Sequence, residues 1–204
     1  MALSGEWLKN YRMILAAEES FARLVALGLW VKRPLTTWHY LIPGMFIFDL
    51  LRRNQAISRY SAVFLFPRKA ALDAALDIIR GEDRKSRLSR AEEEIGTWLR
   101  SLNLFSESLQ RAHRGQVAVL VEHYSRLLQG KGDSYPALLR SFYPTPQDYQ
   151  TFLLRLGAAE QEVDRAVAEA HGHTPEIWAR LRAEQAQVED IRSKEVKRIF
   201  GEKG

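Results

Sequence analysis

Hydrophobic residues recur at spacings of three and four along most of the chain, and this period is typical of amphipathic α-helices. The first such segment covers residues 6–31. It is predicted to end before Pro34, because the residue that precedes a proline avoids the helical conformation. No run of alternating apolar and polar residues, which would indicate a β-strand, interrupts the pattern. The sequence therefore predicts an all-α protein.

Residues 34–88 follow a less regular pattern. A proline is tolerated in the first turn of a helix, so a helix is predicted to begin near Pro43 and to end near Asn54. Pro67 is predicted to open another helix, which ends at Gly81 because glycine readily adopts the conformation that terminates a helix. We therefore expect a smaller helical insertion over about 34–88.

The longest apolar seam follows Ser89. Ser89 and Glu92 have the spacing of a capping box, in which a hydroxyl and a carboxylate each accept a hydrogen bond from a free backbone N–H. The apolar stripe then continues to Gln129. A single helix is predicted over this whole stretch, with Leu102 and Phe105 on its buried face.

Two further long helices are predicted near the C-terminus. Thr145 is a suitable N-cap for a helix over 146–170, and Thr174 is a suitable N-cap for the segment 175–204. This last segment is mostly charged and has a thin apolar stripe, so it should lie on the outside of the protein or project from it. The helices together predict an antiparallel bundle of four to five long helices in a single domain, residues 1–204.

Acidic residues interrupt two of the apolar stripes. Glu18 is the exception on the stripe of the first helix. Glu184 and Glu195 lie on the stripe of the last helix. The faces that are expected to pack are therefore not wholly apolar.

The most apolar stretch is WHYLIPGMFIFDLLRR, residues 38–53. The longest run without a charged side chain, residues 34–48, has fifteen residues, whereas a membrane-spanning helix needs about 20. We therefore expect no ordinary transmembrane helix, and the first residues lack the basic and apolar regions of a signal peptide. Asp49 should be ionised and paired with Arg52 or Arg53.

The positive charge of the chain is concentrated directly after this stretch. The formal net charge is +5, and residues 52–90 hold ten basic and four acidic side chains. Such a block favours an anionic partner, such as lipid headgroups, nucleic acid or an acidic protein surface. The alternative is an ordinary solvated surface on which basic residues happen to be close together.

The sequence offers little catalytic chemistry. It contains no cysteine, which excludes disulfides, thiolate zinc sites and a cysteine nucleophile. Neither a phosphate-binding loop nor a nucleophile elbow is present. None of the five histidines has a glutamate three residues before it, as the helical di-iron motif requires. We therefore predict no catalytic residue, cofactor or metal ligand, and an enzyme is the least favoured class.

The pattern favours a helical interaction or scaffold protein that contacts a partner protein through its apolar segment and basic block, residues 34–90. One alternative is a peripheral membrane protein that docks on anionic lipid through residues 34–66. A second alternative is a nucleic-acid-binding accessory protein. A cytoplasmic location is expected, with membrane association under the first alternative. The candidate contact residues are Trp38, Tyr40, Leu41, Met45, Phe46, Phe48, Arg52, Arg53, Arg59, Arg68 and Lys69.

Overall fold

The computed structural model describes residues 2–31, 45–170 and 173–201, with side chains described for residues 5–29, 54–170 and 173–201. These residues form seven α-helices and contain no strand. The helices are α1 (Ala2–Val31), α2 (Met45–Ile79), α3 (Arg84–Ser101), α4 (Glu107–Leu128), α5 (Tyr135–Phe142), α6 (Pro146–Ala170) and α7 (Pro175–Phe200). The predicted all-α fold is confirmed.

The centre of the molecule is a bundle in which α1 packs on α2, α2 on α4, and α4 on α6. Helices α1 and α2 run antiparallel, because Tyr11 of α1 contacts Asp73 of α2, whereas Ala22 contacts Ser61. Helix α3 lies against α2 and α4, and α7 covers α1 and α6. The antiparallel helical bundle that the sequence predicts is therefore present.

The core of this bundle is built mainly from leucine and alanine side chains. Ile14, Leu72, Leu120 and Tyr124 are fully buried at the point where α1, α2 and α4 meet. Burial of each large aliphatic side chain contributes about 1.5–3 kcal/mol to stability. The segment 34–88, predicted as an insertion, supplies α2, and Leu72 is its largest contribution to this core.

Helix α2 corrects two predicted boundaries, because it continues past Asn54 and because Pro67 lies inside it and does not open a new helix. A proline within a helix removes one hydrogen bond and costs about 3 kcal/mol. Buried residues on both sides of it, Ile57 before and Leu72 after, hold the helix together by packing. Val63, whose carbonyl loses its partner, is 41% exposed, so water can hydrate that carbonyl.

The single helix predicted over 89–129 is also wrong. Asp83 caps α3, and the predicted cap Ser89 lies inside that helix. Ser106 caps α4, and the residues between Ser101 and Glu107 form a turn. Asn103 has a positive φ of 57° in this turn, a conformation that asparagine tolerates better than most residues.

Because of this turn, the buried apolar stripe is formed by other residues than those predicted. Leu102 is only half-buried, and Phe105 is 38% exposed. Phe105 instead lies under the guanidinium of Arg100, with 4.3 Å between the guanidinium carbon and the ring centroid. The apolar seam is carried by Leu99 and Leu109, both almost fully buried, so the prediction that Leu102 and Phe105 lie in the core is wrong.

The two C-terminal helices begin where their caps predict. The Oγ1 atom of Thr145 accepts from the backbone N–H of Asp148, and the Asp148 carboxylate accepts from the backbone N–H of Thr145. Thr174 accepts in the same way from the N–H of Ile177. The thin stripe of α7, which includes Val188, packs against the body of the protein.

Two helical glycines leave room for a larger residue. Nothing lies within 4 Å of a Cβ atom built on Gly115 in α4 or on Gly157 in α6. Glycine costs a helix about 0.5–1 kcal/mol relative to alanine. Gly115→Ala and Gly157→Ala should each raise the free energy of unfolding by about that amount, measured by urea denaturation. A loss of stability in either variant would contradict the open environment of that glycine.

Candidate functional site

The apolar part of the predicted contact surface falls largely outside the described residues. Trp38, Tyr40 and Leu41 precede α2 in a segment that the structure does not describe. The described backbone of α2 includes Met45, Phe46, Phe48, Arg52 and Arg53, but not their side chains. The predicted pairing of Asp49 also lies outside the described side chains. Whether this stretch packs inside or contacts a partner stays a prediction.

The described part of the basic block is largely neutralised by its own neighbours. Lys69 pairs with Asp73 at 2.7 Å, and Arg90 pairs with Glu94 at 3.4 Å. Arg87 contacts Asp77 and Glu82. Arg59 is exposed, and Arg68 is buried. These ion pairs therefore reduce the excess positive charge that the sequence shows in residues 52–90.

Arg68 requires a correction, because it was predicted to contact a partner or lipid and is only 4% exposed. Its Nη1 donates to the Oε2 of Glu18 at 2.8 Å, and its Nη2 donates to the Oε1 of Glu160 at 2.7 Å. A buried guanidinium needs such carboxylate partners, since an unpaired buried charge is very costly. Arg68 is an internal structural cation.

Arg192 completes this buried network from α7. Its two terminal nitrogens donate to the two carboxylate oxygens of Glu160, at 2.8 and 2.9 Å. Burial alone would raise the pKa of Glu160, but Arg192 and Arg68 outweigh it and hold the pKa below its usual value. The Tyr124 hydroxyl donates to Glu18 at 2.7 Å. Side chains from α1, α2, α4, α6 and α7 thus meet in one network.

Aromatic rings and a small polar cavity surround the network. The guanidinium carbon of Arg68 lies 4.8 Å from the ring centroid of Phe64 and 5.2 Å from that of Phe21. A cavity of about 30 Å³ adjoins it, lined in part by Tyr149 and Glu195. That volume has room for about one or two water molecules.

A second group of acids lies about one helical turn after Glu160 in α6 and about two turns before Arg192 in α7. Gln185 donates to the carboxylate of Asp164 at 2.7 Å. Burial, reinforced by the neighbouring Glu184, raises the pKa of Asp164 from 3.8 to about 7. Burial also raises the pKa of Glu184, and burial and Glu184 together raise the pKa of the nearby Tyr60 hydroxyl. Two close carboxylates in a partly buried site resist simultaneous ionisation.

An open groove runs between α6 and α7 above the Glu160–Arg192 pair. It has a volume of about 600 Å³. Leu154 on its α6 side is 74% exposed, which is the highest value among the exposed large hydrophobic residues of the described chain. Its apolar lining comprises Leu153, Leu154, Gly157, Ala158, Val188 and Val196. We call this feature the α6–α7 groove.

The described chain contains neither a cluster of metal-ligating side chains nor a helix that could cross a membrane. Among its residues, no three His, Asp or Glu side chains come together as metal ligands. None of the described helices combines the length and the apolar character that a membrane crossing needs. Comparisons of the chain with protein-family models, with curated proteins and with solved structures find no match.

Sequence reasoning missed the buried network, although it contained a signal. Glu18 and Glu195 were recognised as acids on apolar stripes, and an acid at such a position needs a cation or a donor nearby. The partner of Glu18 is Arg68, fifty positions away, and helical periodicity does not indicate which faces meet. The α6–α7 groove was missed for the same reason.

Proposed function

We propose that this protein is a non-catalytic helical interaction module whose α6–α7 groove binds one amphipathic helix of a partner protein. The observation that supports this proposal is the open apolar groove with the exposed Leu154 at its side. An exposed leucine by itself is unremarkable, but an apolar surface that is concave and bordered by polar residues is typical of a binding site.

The shape of the groove favours a helix as the occupant. Two neighbouring helices form parallel walls, and an amphipathic helix can place side chains at positions i, i+4 and i+7 between them. Gly157 and Ala158 are small residues on the α6 wall, so the backbone of a bound helix can approach α6 closely. A volume of about 600 Å³ lies within the range of about 300–1,000 Å³ that ligand sites occupy.

Charges on the border restrict the partner further. Glu189 and Lys197 both line the groove on α7, and their eight-residue separation corresponds to about 12 Å along a helix. A complementary helix would carry a basic residue opposite Glu189 and an acidic residue opposite Lys197, about two turns apart. A uniformly basic or uniformly acidic helix would face repulsion at one end.

The buried ion pair beneath the groove keeps its walls in place. Arg192 of α7 binds Glu160 of α6 through two hydrogen bonds, which fixes the spacing between the helices. A site that is already formed loses less conformational freedom on binding. The contact surface predicted from the sequence, residues 34–90, stays an alternative proposal for where the partner protein binds.

A matched pair of variants tests the groove. A photo-crosslinking residue at position 154 should capture a partner in cells, whereas the same residue at Arg111, exposed on α4, should not. The captured helix, as a synthetic peptide, should bind the wild-type protein and lose at least about tenfold in affinity with Gly157→Leu. Gly115→Leu is the control, since that glycine also has open space and lies away from the groove.

Two outcomes would contradict the proposal. One is crosslinking from position 154 only to a second copy of the chain, which would make the groove a dimer contact. The other is equal peptide affinity for Gly157→Leu and Gly115→Leu, which would place the partner elsewhere. Both variants should stay folded, because a Cβ atom added at either glycine meets no neighbouring part of the structure within 4 Å.

A further inference from the structure

We infer that a pocket between α4, α5 and α6 binds a small aromatic anion, a planar ring that carries a carboxylate or a phosphate. The pocket lies on the side of α6 that faces α4, so it is distinct from the α6–α7 groove. Its volume is about 420 Å³, which suits a ligand of one ring with an acidic group. Helix α4 supplies Glu122, His123 and Arg126, and α6 supplies Thr151, Phe152 and Arg155.

Glu122 holds two arginines side by side at this pocket, and both arginines keep unused N–H donors. The Nη2 of Arg126 donates to one carboxylate oxygen of Glu122 at 2.7 Å, and the Nη2 of Arg155 donates to the other at 2.9 Å. Each guanidinium has five N–H donors, so most donors of both groups remain for a ligand. Glu122 therefore acts as a spacer that positions the two cations.

Two guanidinium groups bind the single carboxylate of Glu122. The hydrogen bond from Arg155 is the largest of the effects that lower the pKa of Glu122, and Arg126 and Arg84 contribute to the same shift. The guanidinium groups of Arg126 and Arg155 thus hold one carboxylate between them. Asp148, which also lines the pocket, is already bound by the backbone N–H and hydroxyl of Thr145. A carboxylate or phosphate would accept paired hydrogen bonds from the free guanidinium edges.

The inner wall of the pocket is aromatic and uncharged, and its His123, Tyr143 and Phe152 side chains are largely buried. The rings of His123 and Phe152 stack with 3.9 Å between centroids and 9° between planes. Tyr143 forms a 2.8 Å hydrogen bond between its hydroxyl and the Nδ1 of His123. Burial lowers the pKa of His123 to about 3 and raises the pKa of Tyr143 to about 12, so both are neutral at pH 7. Phe142, which is 37% exposed, supplies the most accessible ring of the pocket.

The arginines and the aromatic wall of the pocket together explain why the ligand should be both aromatic and anionic. Aromatic rings pack on such walls in offset or edge-to-face arrangements worth about 0.5–1.5 kcal/mol beyond simple burial. The guanidinium edges at the opening would bind the acidic group of the ligand. An inorganic anion would contact only these arginines. An aromatic ligand without a charge would contact only the aromatic wall.

Calorimetric titration of the full chain in a buffer without phosphate tests this inference. Benzoate and phenyl phosphate should each bind with a dissociation constant of about 1 mM or lower, and their relative affinities show which acidic group is preferred. Inorganic phosphate and benzyl alcohol should bind at least about tenfold more weakly. Arg155→Gln should weaken phenyl phosphate binding at least about tenfold. The matched control is Arg165→Gln, which removes an exposed arginine of the same helix that pairs with Glu162.

Several results would overturn the inference. Lack of binding by both aromatic anions at about 10 mM would show that the pocket has no such affinity. Equal affinity for inorganic phosphate and phenyl phosphate would show that the aromatic wall takes no part. Equal weakening by Arg155→Gln and Arg165→Gln would indicate a general charge effect. Thermal unfolding of the variants distinguishes a lost site from a lost fold, and both substitutions are at exposed positions.

Discussion

Replacing Arg68 with methionine is expected to lower the free energy of unfolding by about 3–5 kcal/mol. The substitution removes the cation that bridges Glu18 and Glu160 and leaves the Glu18 carboxylate buried with only the Tyr124 hydroxyl as a donor in the described network. Methionine preserves much of the apolar stem, so the loss should report the missing charge. Urea denaturation at pH 7 provides the measurement.

A surface arginine of the same helix provides the control for this experiment. Arg59 is exposed, and Arg59→Met should change the free energy of unfolding by no more than about 0.5 kcal/mol. Adding Glu18→Gln to Arg68→Met should recover at least about 1 kcal/mol, because it removes the carboxylate that the first change leaves unpaired. A loss below about 1 kcal/mol for Arg68→Met would show that the network contributes little to the fold.

The second large effect concerns the pH dependence of stability near Asp164. Burial and the neighbouring Glu184 raise the pKa of Asp164 from 3.8 to about 7 in the folded protein. Between these two values the folded state holds a proton that the unfolded chain releases, so stability falls as the pH rises through this window. The contribution is about 2–3 kcal/mol after allowance for the partial exposure of the group.

Asp164→Asn should remove this dependence, since asparagine resembles the protonated acid and cannot ionise. The variant and the wild type should be equally stable near pH 4 and the variant should be more stable by about 2–3 kcal/mol at pH 8. Asp190→Asn is the control, because Asp190 lies on the surface beside Lys194. Comparison of variant with wild type also cancels the effect of the buried His113 and His123, whose lowered pKa values reduce stability at acidic pH. A difference that is the same at both pH values would contradict the raised pKa of Asp164.

The buried network and the groove are physically connected. Glu160 and Arg192 belong to the network, and both also line the α6–α7 groove. The residues that stabilise the packing of α6 on α7 therefore also form the floor of the proposed binding site. The anion pocket uses the opposite side of α6 and shares none of these charged groups.

Local signals predicted some helices well and others poorly. The caps Thr145 and Thr174 each sit directly before a helix, and the interactions that define a cap span only three residues, so sequence alone located α6 and α7. Ser106 and Asp83 use the same chemistry, but the unbroken apolar spacing through Leu102 concealed the turn between α3 and α4. A turn of this kind keeps apolar residues at regular intervals while it changes the direction of the chain.

Pro67 shows the opposite error. A proline is a valid local signal for the start of a helix, yet α2 continues through it. The cost of the missing hydrogen bond is local, whereas the compensation comes from contacts of α2 with α1 and α4. Residues that are distant in sequence therefore decided the boundary.

The sequence by itself determined the all-α class, the antiparallel bundle and the positions of α6 and α7, because helical periodicity and capping depend on residues within three or four positions. Only the tertiary structure decided that Arg68 pairs with Glu18 and Glu160 and that Leu154 stays exposed beside an open groove. Coulomb pairing and burial depend on which helix faces meet in space. The packing of all the helices together determines which faces meet, and no periodic pattern in the sequence indicates this arrangement.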